Sequence, residues 1–246
     1  EDVRVMIIKF ADRLHNLSTL DALPPDKQLR IARESMEIYA PLAHRLGMGE
    51  VKGQIEDLAF PYVHPKQFAW VRDVVGARYE QLDKVVEEMQ TAATESLTAA
   101  RVTIISMHGR RKHLYSLYEK LIRTEYNRDL SKIYGLVALR IVVSSVSDCY
   151  AALGAIHQLW RPLPNRFKDY IAQPKPNGYQ SIHTCVFGPH GQSPQEAGPR
   201  PGRWPVEIQV RDYAMHQLAE YGVAAHWHYT EQGKPVAPSA VQEKVA

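Results

Sequence analysis

The sequence predicts an α+β protein: an all-α piece followed by an α/β piece. Two observations carry this. Up to about residue 100 the apolar residues recur at three- and four-residue spacing, the period of helices with one buried face. At Arg101 the pattern changes to short β-branched runs, separated by helical stretches and by Gly- and Pro-rich segments. Composition sets the outer limits. Of 246 residues, 45% are hydrophobic and 23% charged, which excludes a disordered or collagen-like chain and allows one large domain or two smaller ones.

Val3, Ile7, Phe10, Leu14 and Leu17 form one face of a helix over 1–20. Pro24-Pro25-Asp26 breaks it and starts a helix of about 26–46, which Gly47 ends. A third helix covers 49–60. After Pro61 and Pro65 a long helical stretch runs to about Ala100 on Val71, Val74, Val75, Leu82, Val85, Val86 and Met89. Its Ala/Thr-rich end, 91–100, suits a connection between two domains. Residues 102–107 read as a strand, 112–126 as a helix, 133–143 as a central strand and 148–160 as a helix. Pro162, Pro164, Pro174, Pro176 and Gly178 make 161–180 irregular. Strands follow at 181–187 and 205–210, on either side of a Gly/Pro-rich loop, 188–204. A helix from 212 to about 229 precedes a frayed tail. The division is therefore 1–100, 101–230 and a flexible 231–246. The chain opens at Glu1-Asp2-Val3, without Met and straight into a helical pattern, so it reads as a fragment whose natural beginning is missing.

Thirty Lys+Arg against 27 Asp+Glu give a net charge of +3, too little to argue for nucleic acid, so function is sought in local clusters. Cys149 and Cys185 are the only cysteines, which implies no disulfide framework and fits a reducing, cytoplasmic compartment. No apolar run reaches the ~18 residues of a membrane span, and no signal peptide is visible.

The densest polar cluster is Arg161, Arg166, Lys168, Asp169, Lys175, Asn177, Tyr179, Gln180 and His183. Prolines and glycine stiffen the segment and hold its basic residues in place. Tyr179 offers a stacking ring beside the Asn177 amide, and His183 begins a strand. The pattern suits a phosphorylated, base-containing ligand; a loop kept soluble by its charges is the other reading. A second cluster, Gly109-Arg110-Arg111-Lys112-His113 with Lys120 and Arg123, sets Lys112, Ser116 and Lys120 on one helix face. That helix start, with Arg110 and Lys112, is either a polyphosphate seat or a solvated face. In Val206–Arg211, alternation groups Glu207, Gln209 and Arg211. Glu207 there could hold a divalent metal or orient a hydroxyl, or stand on the solvent face of an antiparallel strand. Asp12 and Asn16 form an i, i+4 pair. A metal would suit Asp12, but the chain contains no His-Asp pair to complete a site. His226 and His228, two apart on a helix, face different ways and are not read as a metal site.

Ala11-Asp-Arg-Leu-His-Asn16, Tyr39-Ala-Pro-Leu-Ala-His-Arg-Leu-Gly47, Gly109-Arg-Arg-Lys-His113, Arg166-Phe-Lys-Asp-Tyr-Ile171, Pro176-Asn-Gly-Tyr-Gln-Ser-Ile-His183, Val206-Glu-Ile-Gln-Val-Arg211 and Ala219-Glu-Tyr-Gly-Val-Ala-Ala-His-Trp227 stand in this order. Over nearly the whole chain they resemble the long Rel/SpoT family of alarmone synthetase/hydrolases. The resemblance implies a nucleotidyltransferase-like synthetase domain from about residue 101, with a mixed sheet flanked by helices. Such a domain uses Mg²⁺ to transfer the β,γ-diphosphate of ATP to the 3′-OH of GDP or GTP, giving ppGpp or pppGpp. It implies that Tyr179 stacks on guanine, with Asn177, His183 and Ala219 nearby, and that Lys168 and Lys175 lie near phosphates. Arg110, Lys112, Ser116 and Lys120 would face the ATP phosphates, Arg110 and Arg140 would pack about the adenine, and Glu207 would orient the 3′-OH and hold Mg²⁺. Arg166, Gln209 and Arg211 are further active-site candidates.

The Arg-Phe-Lys-Asp stretch is similar to the version found in bifunctional members. The helical part resembles the C-terminal portion of their HD-type Mn²⁺ hydrolase, with Asp12 matching its last metal ligand and Asn16 and Thr19 near the nucleotide. Two departures bear on activity. The earlier hydrolase ligands are missing, so this chain is expected not to hydrolyse. Tyr134-Gly135-Leu136 stands where the family has Tyr-Asp-Leu, whose Asp is the second Mg²⁺ carboxylate. Gly135 is expected inside the central strand, where nothing in the fold calls for glycine. An engineered inactivating change is the first reading of it and a naturally silenced synthetase the second. Arg111, where the family commonly has Pro, is a milder departure. A non-catalytic guanine-nucleotide sensor beside a hydrolase is the competing function, and an RNA-binding module a weaker one. Ribosome contact would belong to C-terminal regions that this chain lacks, and no membrane partner is implied.

Overall fold

The computed structural model describes residues 3–188 and 205–225. The expected 188–204 loop from residue 189 onward, the last helix beyond 225 with His226 and His228, and the 231–246 tail lie outside the described residues. Among those described, no helix is long and apolar enough to cross a membrane.

The first half is helical. Helix α1 (Val3–Ser18) buries Phe10 and Leu17. Helix α2 (Pro25–Glu34) starts on Pro25, whose fixed φ and missing N–H suit a first turn. The helix expected over 26–46 is not continuous. A π-turn at Ser35–Tyr39, closed by Ala40 N–H on Ser35 O, intervenes before α3 (Ala40–Arg45). Pro41 has no N–H to give the regular ladder there, and the wider turn accommodates it. Helix α4 (Gly49–Val63) runs through Pro61, beyond the expected end at residue 60. Helix α5 (Pro65–Ala99) has 35 residues, a length of about 50 Å.

The second half is built on a five-stranded sheet of order β1-β2-β5-β4-β3: β1 (Ile104–Arg111), β2 (Val137–Val143), β3 (Lys168–Asp169), β4 (Ile182–Phe187) and β5 (Pro205–Asp212). Strands β2 and β5 are parallel and the other pairs antiparallel, so the sheet is mixed, as expected. Helices α6 (Leu114–Leu121), α7 (Val146–Leu159) and α8 (Tyr213–Tyr221) flank it.

Helix α8 ends at Tyr221, short of the expected 229, because Gly222 turns the chain with φ +55° into a 3-10 turn at Gly222–Ala224. Four further elements differ from the sequence reading. Strand β1 runs on to Arg111 because Arg110 and Arg111 pair with Ala138 and Val137 of β2. Helix α6 therefore begins only at Leu114, and it ends at Leu121. Arg110 thus belongs to a strand, and Lys112 precedes the helix that carries Ser116 and Lys120. The central strand starts at Val137, not at 133, which leaves Gly135 in the preceding loop with φ +75°. The segment 161–180 includes β3, whose Lys168 and Asp169 pair with His183 and Ile182.

Two cores result. One holds Phe10, Leu17, Leu20, Ala32, Ala43, Ile55 and Ala59 of the helical half. The other joins Val71, Val75, Leu82, Met89 and Leu97 of α5 to Leu139 and Ile141 of β2, Ile156 of α7 and Ile208 and Val210 of β5. One face of the sheet is covered in this way, and its other face is left to polar residues.

Candidate functional site

Register builds the polar face. Arg110 of β1 pairs with Ala138 of β2, which pairs with Glu207 of β5, which pairs with Cys185 of β4. One step along lie His108, Arg140, Gln209, His183 and Lys168. Paired positions share a face, and alternate residues return to it. Two arginines, a glutamate, a glutamine and two histidines thus stand on one side of four strands.

This face opens into a cleft of about 290 Å³ lined by Arg110, Lys112, Ser116, Gly135, Lys175, Tyr179, His183, Glu207 and Gln209. A neighbouring cavity of about 140 Å³ shares Arg110 and Tyr179 and adds Arg140, Asn177, Arg211, Ala219 and Glu220. Residues separated by up to a hundred positions in sequence therefore converge. Lys120, Arg166 and Lys168 line neither cavity. The Arg166 guanidinium lies 4.4 Å from the Tyr134 ring centroid, and Lys168 is exposed on β3.

Glu207 is the most constrained group. Its Oε1 lies 2.8 Å from His183 Nδ1 and accepts from Gln209 Nε2 at 2.9 Å. Burial pushes its carboxyl up. The His183 bond and charge, the Gln209 bond and the Lys112 charge outweigh burial and bring it down to about 2. Gly135 faces the other oxygen: a Cβ at 135 would collide with Glu207 Oε2. The expectation that nothing in the fold calls for glycine here is corrected. A left-handed φ and the close approach of Glu207 both favour a residue without a Cβ.

The loop before β4 sets Tyr179. Asn177 Oδ1 accepts the Tyr179 N–H at 3.3 Å, and Lys175 N–H bonds Tyr179 O at 3.1 Å. The Lys175 ammonium lies 5.0 Å from the Tyr179 ring centroid and 4.6 Å from that of Tyr170. In the smaller cavity Arg140 Nη1 and Arg211 Nη2 share Glu220 Oε1, at 2.6 and 2.7 Å. Burial and the neighbouring Arg211 lower Arg140 to about 10. Arg140 Nε and Arg211 Nε are buried without a hydrogen-bond partner among the described residues.

The helical half reaches this face through α4. Glu50 Oε2 lies 3.2 Å from Arg110 Nη2, and Glu50 Oε1 lies 3.4 Å from His113 Nε2. Asp57 accepts the Tyr115 N–H at 2.9 Å and lies 2.9 Å from His113 Nδ1, so α4 supplies the cap of α6. Gly53 lets the His113 ring lie against the helix, where any Cβ would collide with it. Sequence reasoning missed Glu50, Asp57, Tyr170 and Glu220. The only signal for the first two is that they stand seven apart, on one face of a helix.

Asp12, Asn16 and Thr19 are all exposed on and just after α1. Asn16 Nδ2 donates to Asp12 Oδ2 at 3.0 Å, and Thr19 Oγ1 donates to His15 O at 3.1 Å. Among the described residues no group of three or more His, Cys, Asp or Glu is placed to hold a metal ion. Among the described residues, Asp12 thus has no partner ligands for a manganese site.

Comparison with known proteins bears on both halves. The model of the region found in RelA / SpoT proteins matches residues 109–234, and an HD domain model matches residues 1–49. The chain is 46% identical over 94% of its length to the bifunctional (p)ppGpp synthase/hydrolase RelA of Mycobacterium tuberculosis. It is 47% identical over 94% to a GTP pyrophosphokinase of Streptomyces coelicolor, and 44% over 95% to the bifunctional (p)ppGpp synthase/hydrolase SpoT of Escherichia coli. It spans 29%, 26% and 31% of these relatives' lengths, respectively. The larger match begins on the strand that carries Arg110 and runs past α8, taking in all of the polar face but His108; with it, the chain belongs to the RelA/SpoT family.

Proposed function

We propose that the α/β half, 101–230, is a GTP diphosphokinase domain that moves the β,γ-diphosphate of ATP to the 3′-OH of GDP or GTP, and that 1–100 is part of an alarmone hydrolase with its connecting helices. The observation that carries this is the polar face itself: basic side chains, a stacking ring and one half-buried carboxylate opening into a single cleft. Phosphoryl-type transfer needs positioning and neutralisation of spreading charge more than covalent help from the protein. Arg110, Lys112 and Ser116 of the cleft bind the ATP phosphates, and Arg140 with Arg110 flanks the adenine. Tyr179, Asn177 and Ala219 receive the guanine and Lys175 the acceptor's phosphates; Lys120 and Lys168, outside the cavity linings, reach the phosphates only by extending toward the cleft. Arg166, Gln209 and Arg211 complete the surroundings.

In the reaction, the 3′-oxygen bonds to the β-phosphorus while the bond from that phosphorus to the α-phosphate oxygen breaks, releasing AMP. Glu207, ionised at neutral pH, accepts the hydroxyl's hydrogen bond, aims its lone pair and passes the proton, as it leaves, to solvent. The Glu207 carboxylate, together with nucleotide phosphates, would help hold one Mg²⁺, which would neutralise the transferred charge. The residues about Asp12 do not fit a Mn²⁺ site, and no hydrolytic step is derived for this chain.

Gly135 offers no carboxylate, so synthesis by this chain is expected to be low although nucleotides bind. The left-handed backbone at Gly135 and its contact with Glu207 also favour a second reading, a guanine-nucleotide sensor regulating an adjoining hydrolase, in which glycine is the natural residue. Calorimetry with GDP and with a non-hydrolysable ATP analogue tests the site. Thin-layer detection of the 3′-diphosphorylated product separates enzyme from sensor. Failure of both nucleotides to bind would overturn both readings.

A further inference from the structure

The proposed reaction gives Tyr179 and Glu207 separate tasks, at the base and at the sugar. The structure joins them through His183. The imidazole Nδ1 lies 2.8 Å from Glu207 Oε1, and Nε2 lies 2.8 Å from the Tyr179 hydroxyl. With Nδ1–H turned to the carboxylate, Nε2 accepts the tyrosine O–H, so both ring nitrogens are committed. The Tyr170 ring stands edge-on to His183 at a centroid distance of 5.2 Å and to Tyr179 at 6.1 Å. On the backbone, His183 is held between Lys168 and Gln209. The imidazole cannot turn without breaking a bond at each end. Glu207 Oε1 already has two donors, His183 and Gln209, so Oε2 is the oxygen left for a ligand.

We propose that His183 is a positioning residue that couples the ring receiving a purine nucleotide's base to the carboxylate receiving its ribose hydroxyl. A base that settles on Tyr179 moves its hydroxyl. The hydroxyl moves the imidazole, and the imidazole sets the angle at which Oε2 meets the sugar. The tyrosine O–H thereby has a task that its ring alone does not perform. This rests on the reading that Tyr179 receives the base.

The test uses the full 246-residue chain with GDP as probe. Affinity is read by calorimetry, and the His183 ring by its ¹⁵N resonances, assigned with His183→Gln. Tyr179→Ala is expected to weaken GDP by more than about fivefold, the loss of a stacking platform. Tyr179→Phe keeps the ring, so it is expected to weaken GDP less than Tyr179→Ala does. GDP is expected to shift the His183 resonances in the parent chain and to leave at most half of that shift in Tyr179→Phe. A direct contact between GDP and the imidazole would give equal shifts in both, and that result would overturn the coupling. So would GDP binding to the parent without moving His183. Unchanged affinity in Tyr179→Ala would instead remove the base from Tyr179, a failure of the underlying reading that affinity alone detects.

Discussion

Glu50 of α4 and Arg110 of β1 meet at 3.2 Å, so a carboxylate of the helical half is the counter-ion of an arginine on the sheet's polar face. A phosphate arriving at Arg110 meets a site already neutralised. Glu50→Gln is expected to tighten the binding of an ATP analogue by about two- to fivefold, the range of a partly exposed ion pair. Calorimetry on both forms checks this; equal affinities would mean that Arg110 does not meet the phosphates.

The same carboxylate makes the joint between the halves sensitive to pH. Burial lowers His113, but its bonds and charges from Asp57 and Glu50 overcome this and raise it to about 9. A raised histidine contributes its full stability below its ordinary value of about 6.5 and loses it as pH climbs through the folded value. Thermal unfolding between pH 6.5 and 9.5 is therefore expected to show a fall of about 1–3 kcal/mol. The fall should be much smaller in His113→Gln. A parent chain equally stable at both ends of this range would contradict the joint.

Gly53→Ala places a methyl group where the His113 ring now lies. Forcing the ring aside strains the contacts with Asp57 and Glu50. The expected cost is about 1–3 kcal/mol, typical of overpacking, and is read as a lower melting temperature. Gly49→Ala, with open space at its Cβ, is the control and should cost much less.

Gly135→Asp tests the missing carboxylate against a backbone that resists it. The left-handed φ and the contact with Glu207 Oε2 are expected to cost about 1 kcal/mol or more of stability. Asp is among the residues that best tolerate this region. Product formation from ATP and GDP is expected to rise well above that of Gly135→Ala, which carries the strain without the ligand. If the two variants make equal product, position 135 is not a metal ligand.

Much of this architecture was legible in the residues. The change of period at Arg101, the apolar stripe of α5 and the alternation in Val206–Arg211 each follow from local spacing. The convergence of Tyr179, Glu207 and Lys112 in one cleft was legible only through the family resemblance, because register across four strands is not written in any local pattern. Boundaries failed where pairing overrode composition. Gly109-Arg110-Arg111 reads as a basic cluster leading into a helix but is held in β1 by β2. Gly135 read as a flaw inside a strand until its φ placed it in the loop before one. Glu50 and Asp57 were invisible for a plainer reason: a solvated carboxylate and one that caps a distant helix look alike in a sequence.

The length of α5 also bears on how relatives of this chain can trade parts. Its apolar stripe is moulded to β1, β2, α6 and α7, although its sequence position assigns it to the helical half. Recombination near residue 100 would set a stripe from one parent against a sheet from another and mismatch a packed interior. A crossover at His64, between α4 and α5, would transplant helix and sheet together and leave mainly the α4 contacts to be matched. Inheritance in this family is expected to treat α5, the five-stranded sheet and its flanking helices as one block, with its natural seam before the long helix.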